Sequence, residues 1–167
     1  GMEGAGVVEN LGAGVDDLSV GDRVAYAGGP IGSYSEQRVI PADRLVKLPD
    51  TVDDRTAAAM MLKGLTVHYL LHWTYQVGRG DTVLIHAAAG GVGLILCQWA
   101  TNLGATVIGT VGTAAKAALA EAHGCDHPII YTERNFREAV MDITDGKGVH
   151  VVYDSIGADT LVDSIAC

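Results

Sequence analysis

Asp81-Thr82-Val83-Leu84-Ile85-His86-Ala87-Ala88-Ala89-Gly90-Gly91-Val92-Gly93 is an apolar run that empties into a glycine-rich turn. Thr82 to His86 has the length and β-branched content of a buried strand. Beyond the turn, Val92, Ile95, Leu96, Trp99, Ala100 and Leu103 recur at the spacing of one helix face. The pattern predicts a strand, a tight turn and a helix. Such a turn aims backbone N–H groups and the positive end of the helix at one place, where a diphosphate binds with little side-chain help. In the G-x-G-x-x-G register the three positions are Ala88, Gly90 and Gly93, so alanine replaces the first glycine. The reading of this incomplete motif therefore rests on the strand and helix that flank it.

From Asp81 onward strand and helix alternate. Strands are expected at Thr82 to His86, Thr106 to Val111, Pro128 to Tyr131 and Val149 to Asp154. Helices are expected at Gly91 to Leu103, Ala114 to His123 and Asn135 to Thr144, with another starting near Asp159. This is the pattern of a parallel, doubly wound sheet. Upstream the texture differs. Gly4 to Glu9, Arg23 to Ala27, Ser33 to Ile40 and Arg44 to Leu48 read as short strands separated by glycine and proline turns. After Pro49, Asp53 is placed to cap a helix through Leu62, and a second helix is expected from Thr66 to Tyr75. Four short strands make a poor complete domain, so the chain is expected to begin within one.

The composition bounds the function. A net charge of −9 argues against a general nucleic-acid or anionic-membrane surface. No run approaches the roughly 18 apolar residues that a membrane helix needs. Cys97, Cys125 and Cys167 are scattered and form no C-x-x-C, which suits reduced thiols and a cytoplasmic setting. His68 and His72 have the spacing of a metal pair but lack an adjacent glutamate and an evident third ligand. His86, ending the first strand, reads as a packed residue rather than a catalytic one. No G-x-S-x-G elbow supports a hydrolase.

Cofactor selectivity is read at the end of the second strand, Thr110-Val111-Gly112-Thr113-Ala114-Ala115-Lys116. An NAD-selective fold places an acid there, about 20 residues beyond the glycine turn, to bind the ribose 2′-hydroxyl. Here no acid is present and a lysine follows within a helical turn. A carboxylate would repel a 2′-phosphate, whereas Gly112, the Thr113 hydroxyl and Lys116 can accept one, so the expected cofactor is NADPH. Lys116 alone would be an ordinary solvated lysine; the turn upstream gives it a role.

Several blocks, in order, resemble one family. Gly1-Met2-Glu3-Gly4-Ala5-Gly6-Val7-Val8, Val20-Gly21-Asp22-Arg23-Val24, Leu62-Lys63-Gly64-Leu65-Thr66 and His86 to Gly93 are similar to the quinone oxidoreductase (zeta-crystallin-like) branch of the medium-chain dehydrogenase/reductase superfamily. The similarity continues through Gly109-Thr110-Val111-Gly112-Thr113 and Val151-Val152-Tyr153-Asp154-Ser155. It implies an α/β chain in which residues 1–55 are part of a GroES-like substrate domain and residues 56–167 part of an NADP-binding Rossmann domain. It also implies that the chain is an internal fragment, inactive alone, with its catalytic residues upstream of Gly1.

The resemblance further implies where the cofactor lies. Lys63 and Thr66 fall near the nicotinamide, Ala89, Gly90, Gly91 and Val92 at the diphosphate, Gly112, Thr113, Lys116 and Tyr131 at the 2′-phosphate, and Ser155 near the cofactor. Zinc-dependent members carry Gly-His-Glu where this chain has Gly1-Met2-Glu3. A thioether does not replace imidazole as a zinc ligand and no cysteine lies near Leu62, so the zinc-free branch is implied and no metal is expected. The implied reaction is direct hydride transfer from NADPH to a quinone. Alternatives are a zinc-free enone or enoyl reductase, or a non-catalytic NADPH-binding, crystallin-like protein. A homodimer is expected of the whole protein.

Overall fold

A computed structural model describes residues 1–167, which divide into two compact units, Gly1–Leu65 and Thr66–Cys167. In the first, β1 (Glu3–Val7), β2 (Arg23–Ala27) and β3 (Val46–Lys47) form an antiparallel sheet in that order. Its small core is Val8, Leu18 and Val24. The expected strand from Ser33 to Ile40 does not form; the segment is a chain of bends. Tyr34 and Val39 are exposed there, so its apolar residues have no layer to pack on. Arg38 instead ties the segment locally, donating to the Tyr26 hydroxyl at 3.1 Å and to the Pro30 carbonyl at 3.1 Å. The strand expected from Arg44 shortens to β3 because Ala42–Arg44 winds into a 3₁₀ turn.

A single helix, α1 (Asp54–Tyr69), replaces the two that were expected. Asp53 caps it as anticipated: its Oδ1 accepts the Thr56 N–H at 2.9 Å. Gly64 does not break it. The glycine is buried within the helix, where a β-carbon would meet only the Met60 methyl, at 3.4 Å. The helix ends in a π turn, Leu70–Thr74, in which Tyr75 N–H donates to the Leu70 carbonyl at 3.3 Å. That carbonyl also takes the Tyr153 hydroxyl at 3.2 Å.

The second unit follows the expected alternation. Its strands are β4 (Thr82–Ile85), β5 (Thr106–Val111), β6 (His127–Ile130) and β7 (Val151–Tyr153). Between and after them run α2 (Gly91–Asn102), α3 (Ala114–Glu121), α4 (Phe136–Ile143) and α5 (Leu161–Ile165). All strand pairings are parallel, in the order β6-β5-β4-β7. Both faces of the sheet are covered. Val83, Ile85, Val107 and Val111 pack with Leu96, Cys97 and Ala100 of α2, while Leu84, Ile108 and Ile129 pack with Phe136, Ala139 and Val140 of α4. This alternation is what a strand's two-residue period requires when neither side meets water. The chain leaves β4 toward β5 and β6 and returns on the other side as β7, so the switch point of the sheet lies at the end of β4. No helix is long and apolar enough to cross a membrane.

Candidate functional site

The turn after β4 is shaped by close backbone contact. Ala87 is left-handed, with φ 52°, a conformation that costs a residue with a β-carbon roughly 1–2 kcal/mol. Its carbonyl accepts the Gly90 N–H at 2.8 Å. A β-carbon on Gly93 would lie 2.4 Å from the Ala87 oxygen and 2.6 Å from the Ala88 oxygen, so only glycine lets α2 start this close to the strand. Gly90 caps α2 with no side-chain hydrogen bond, leaving the N–H groups of the first turn without a side-chain acceptor. This is the arrangement that favours an anion.

A cavity of about 500 Å³ opens beside this turn, within the usual range for ligand pockets. Five residues expected to hold a dinucleotide line it: Ala89, Gly90, Gly112, Lys116 and Tyr131. A β-carbon on Gly112 would stand 2.8 Å from the Tyr131 hydroxyl, so the glycine keeps the end of β5 open. Lys116 is exposed and forms no ion pair, whereas Arg134, which also lines the cavity, is paired with Asp142. Asp159 and Asp163, which also line the cavity, were not anticipated there.

The other expected residues stand elsewhere. Gly91 opens α2 and is exposed; Val92 packs partly into the core beneath it. The Thr113 hydroxyl is occupied in capping α3, accepting the Lys116 N–H at 3.3 Å. Ser155 is exposed in the turn after β7, next to Ile156, which does line the cavity. Thr66 lies within α1. In the first unit the Lys63 ammonium donates to Glu3 at 2.6 Å and to the Ala59 carbonyl at 2.8 Å. Burial pushes the Glu3 carboxyl up, but the bonds from Lys63 and the Leu62 N–H outweigh it and the group stays below its ordinary range. His68 and His72 sit against Trp99, with ring centroids 5.8 and 5.4 Å away, and no group of three or more His, Cys, Asp or Glu residues comes together to hold a metal.

A polar cluster lies under the turn that sequence reasoning did not assemble. His86 is buried and lines the cavity, with Thr110 on one side, Ser164 on the other and the Phe136 ring edge-on at 4.8 Å. Burial pushes its pKa down, with Asp154 opposing. The available signal was a histidine ending an otherwise apolar strand directly before a glycine turn.

With this geometry in place, comparison with known proteins is specific. Residues 1–50 match the alcohol dehydrogenase GroES-like domain, and residues 91–167 match the zinc-binding dehydrogenase family. The chain belongs to the medium-chain dehydrogenase/reductase superfamily. Within the superfamily it is 54% identical to a quinone oxidoreductase of Pseudomonas aeruginosa, over 100% of this chain and 51% of that protein. It is equally 54% identical to a 2-haloacrylate reductase of a Burkholderia species, again over 100% of this chain and 51% of the other. The crystal structure of Escherichia coli quinone oxidoreductase complexed with NADPH superposes with a TM-score of 0.96 at 50% identity, covering 100% of this chain and 51% of that one. The chain thus spans about half the length of the curated relatives it matches.

Proposed function

We propose that the cavity binds the adenosine and diphosphate part of NADPH, and that the whole protein reduces a quinone without zinc. The observation that carries this is Lys116, a cation free of ion pairs on the wall of a cavity whose glycine turn is built for a diphosphate. Gly112 and Tyr131 flank it where an NAD-selective fold would place an acid. The N–H groups at the start of α2 take the diphosphate; Lys116 and the Tyr131 hydroxyl take the 2′-phosphate. When bound, NADPH supplies a hydride to an electron-poor acceptor.

In this reading Lys63, held by Glu3 and retaining one proton to donate, and Thr66 attend the nicotinamide, and Ser155 approaches from the turn after β7. Residues 1–55 belong to the substrate domain and residues 56–167 to the cofactor domain. Met2, in place of a histidine ligand, supports the zinc-free assignment. A quinone needs no Lewis acid to accept hydride, so the protein's contribution is orientation and exclusion of water. Three free cysteines, two of them buried, support a cytoplasmic setting. The homodimer rests on the resemblance alone.

A second reading has its own support. The 2-haloacrylate reductase is as similar to this chain as the Pseudomonas quinone oxidoreductase, which favours reduction of an activated C=C bond as the alternative. Following NADPH oxidation by the whole protein with a panel of benzoquinones, naphthoquinones, enones and 2-haloacrylates separates the two. The proposal expects quinone turnover. Turnover of the acrylate alone would replace it with the second reading, and NADPH binding without any turnover would leave a non-catalytic binding protein.

A further inference from the structure

Beneath the cavity, the hydrogen bonds around His86 run in one direction. Nε2 of His86 lies 3.0 Å from Ser164 Oγ, and Nδ1 lies 2.9 Å from Thr110 Oγ1. Ser164 donates to Asp154 Oδ2 at 2.9 Å. An ionised carboxylate only accepts, and a serine has one proton to give. Ser164 therefore spends its proton on Asp154 and accepts from His86, which places the imidazole proton on Nε2. Nδ1 is then bare, and Thr110 donates to it.

Asp154 is firmly an anion in this arrangement. Its Oδ2 also accepts the Thr160 hydroxyl at 2.7 Å, and its Oδ1 accepts the N–H groups of Ile156 at 2.8 Å and Gly157 at 3.0 Å. Burial pushes the carboxyl up, but these bonds outweigh it and hold it well below the usual carboxylate range. The four linked residues come from the end of β4, from β5, from the end of β7 and from α5. Directly after His86 stands left-handed Ala87, whose oxygen sets the distance to Gly90 and Gly93. Backbone strain of this kind persists only where the surroundings fix it from several sides.

We propose that His86 is a positioning residue: by joining Thr110 to Ser164 and Asp154 it fixes the end of β4, and so holds Ala87 and the glycine turn in the shape that receives a diphosphate. This rests on the dinucleotide reading of the cavity and adds to it the group that keeps the turn in shape. Both ring nitrogens of His86 are already engaged, by Thr110 and Ser164, which leaves neither for a phosphate. Its loss should therefore harm ligands that carry a diphosphate and spare those that do not.

The test is calorimetric titration of NADPH and of adenosine 2′-monophosphate, which carries the 2′-phosphate but no diphosphate, into wild type, His86→Leu, His86→Gln and Lys116→Ala. Glutamine offers an N–H donor and a carbonyl acceptor about as far apart as the two ring nitrogens. Expected for His86→Leu is about tenfold weaker NADPH binding with adenosine 2′-monophosphate within about twofold, and for His86→Gln recovery of NADPH to within about threefold. Unchanged NADPH affinity in His86→Leu, or equal loss of both ligands, overturns the positioning role. If His86→Leu does not fold, Ser164→Ala replaces it, with selective NADPH loss expected and unchanged NADPH binding overturning the idea. Adenosine 2′-monophosphate binding that ignores Lys116→Ala would overturn the dinucleotide reading itself, and this inference with it.

Discussion

A β-carbon added to Gly112 would stand 2.8 Å from the hydroxyl of Tyr131, so the opening at the end of β5 exists because residue 112 has no side chain. Tyr131 is exposed. Gly112→Ala should therefore leave stability within about 1 kcal/mol of wild type, while weakening NADPH several-fold by displacing the tyrosine. Gly112→Asp adds a carboxylate facing the 2′-phosphate and should cost NADPH about a hundredfold in affinity, with NADH then preferred. Fluorescence titration with both nucleotides checks this, and retained NADPH preference in Gly112→Asp would contradict it.

The two glycines of the turn should behave differently. At Gly93 an added β-carbon meets backbone oxygens at 2.4 and 2.6 Å, which cannot yield without moving Ala87 and Ala88. Gly93→Ala should cost about 2–3 kcal/mol in denaturant unfolding and abolish nucleotide binding. At Gly90 the closest approach is 3.0 Å, to the Ala87 oxygen. Gly90→Ala should remain within about 1 kcal/mol of wild type yet lose NADPH affinity, because its methyl occupies the path of the diphosphate. Equal stability of the two variants would contradict the packing account.

His86 makes stability depend on pH in a definite direction. Its folded pKa lies below the ordinary 6.5, chiefly because burial opposes the charged ring. Below that value the unfolded chain takes up a proton that the native state does not, so stability is complete above about pH 6.5 and falls as the pH drops beneath it. The melting temperature of wild type should decline from about pH 7 to pH 5, and His86→Gln should lack that part of the decline. Identical slopes for the two proteins would show that His86 is not the group responsible. Asp154 acts further into acid: its contribution is present above the ordinary carboxylate value of 3.8 and is lost as the pH falls through its depressed one.

What the sequence carried was the part of the structure that period and turn chemistry dictate. The alternation from Asp81 onward, the glycine turn and the Asp53 cap all form as read, since each is decided by local pattern. Ser33 to Ile40 failed because a short segment becomes a strand only where a partner and a layer exist, and neither is local information. The two helices expected on either side of residues 63–65 are one, α1, because a single glycine within a long helix costs only about 1 kcal/mol. In the site, Gly112 and Lys116 line the cavity, a place that their distance from the glycine turn let the sequence suggest. The link from His86 to Ser164 was not legible, because its partners lie 78 residues apart in the chain and meet only once the sheet is wound.

The central claim is that this cavity reads a 2′-phosphate through Lys116. Titrating NADPH and NADH into wild type and Lys116→Ala tests it most directly. Wild type should prefer NADPH, and Lys116→Ala should lose that preference by about tenfold or more through weaker NADPH binding, with NADH unchanged. An unaltered ratio of the two affinities would contradict the account.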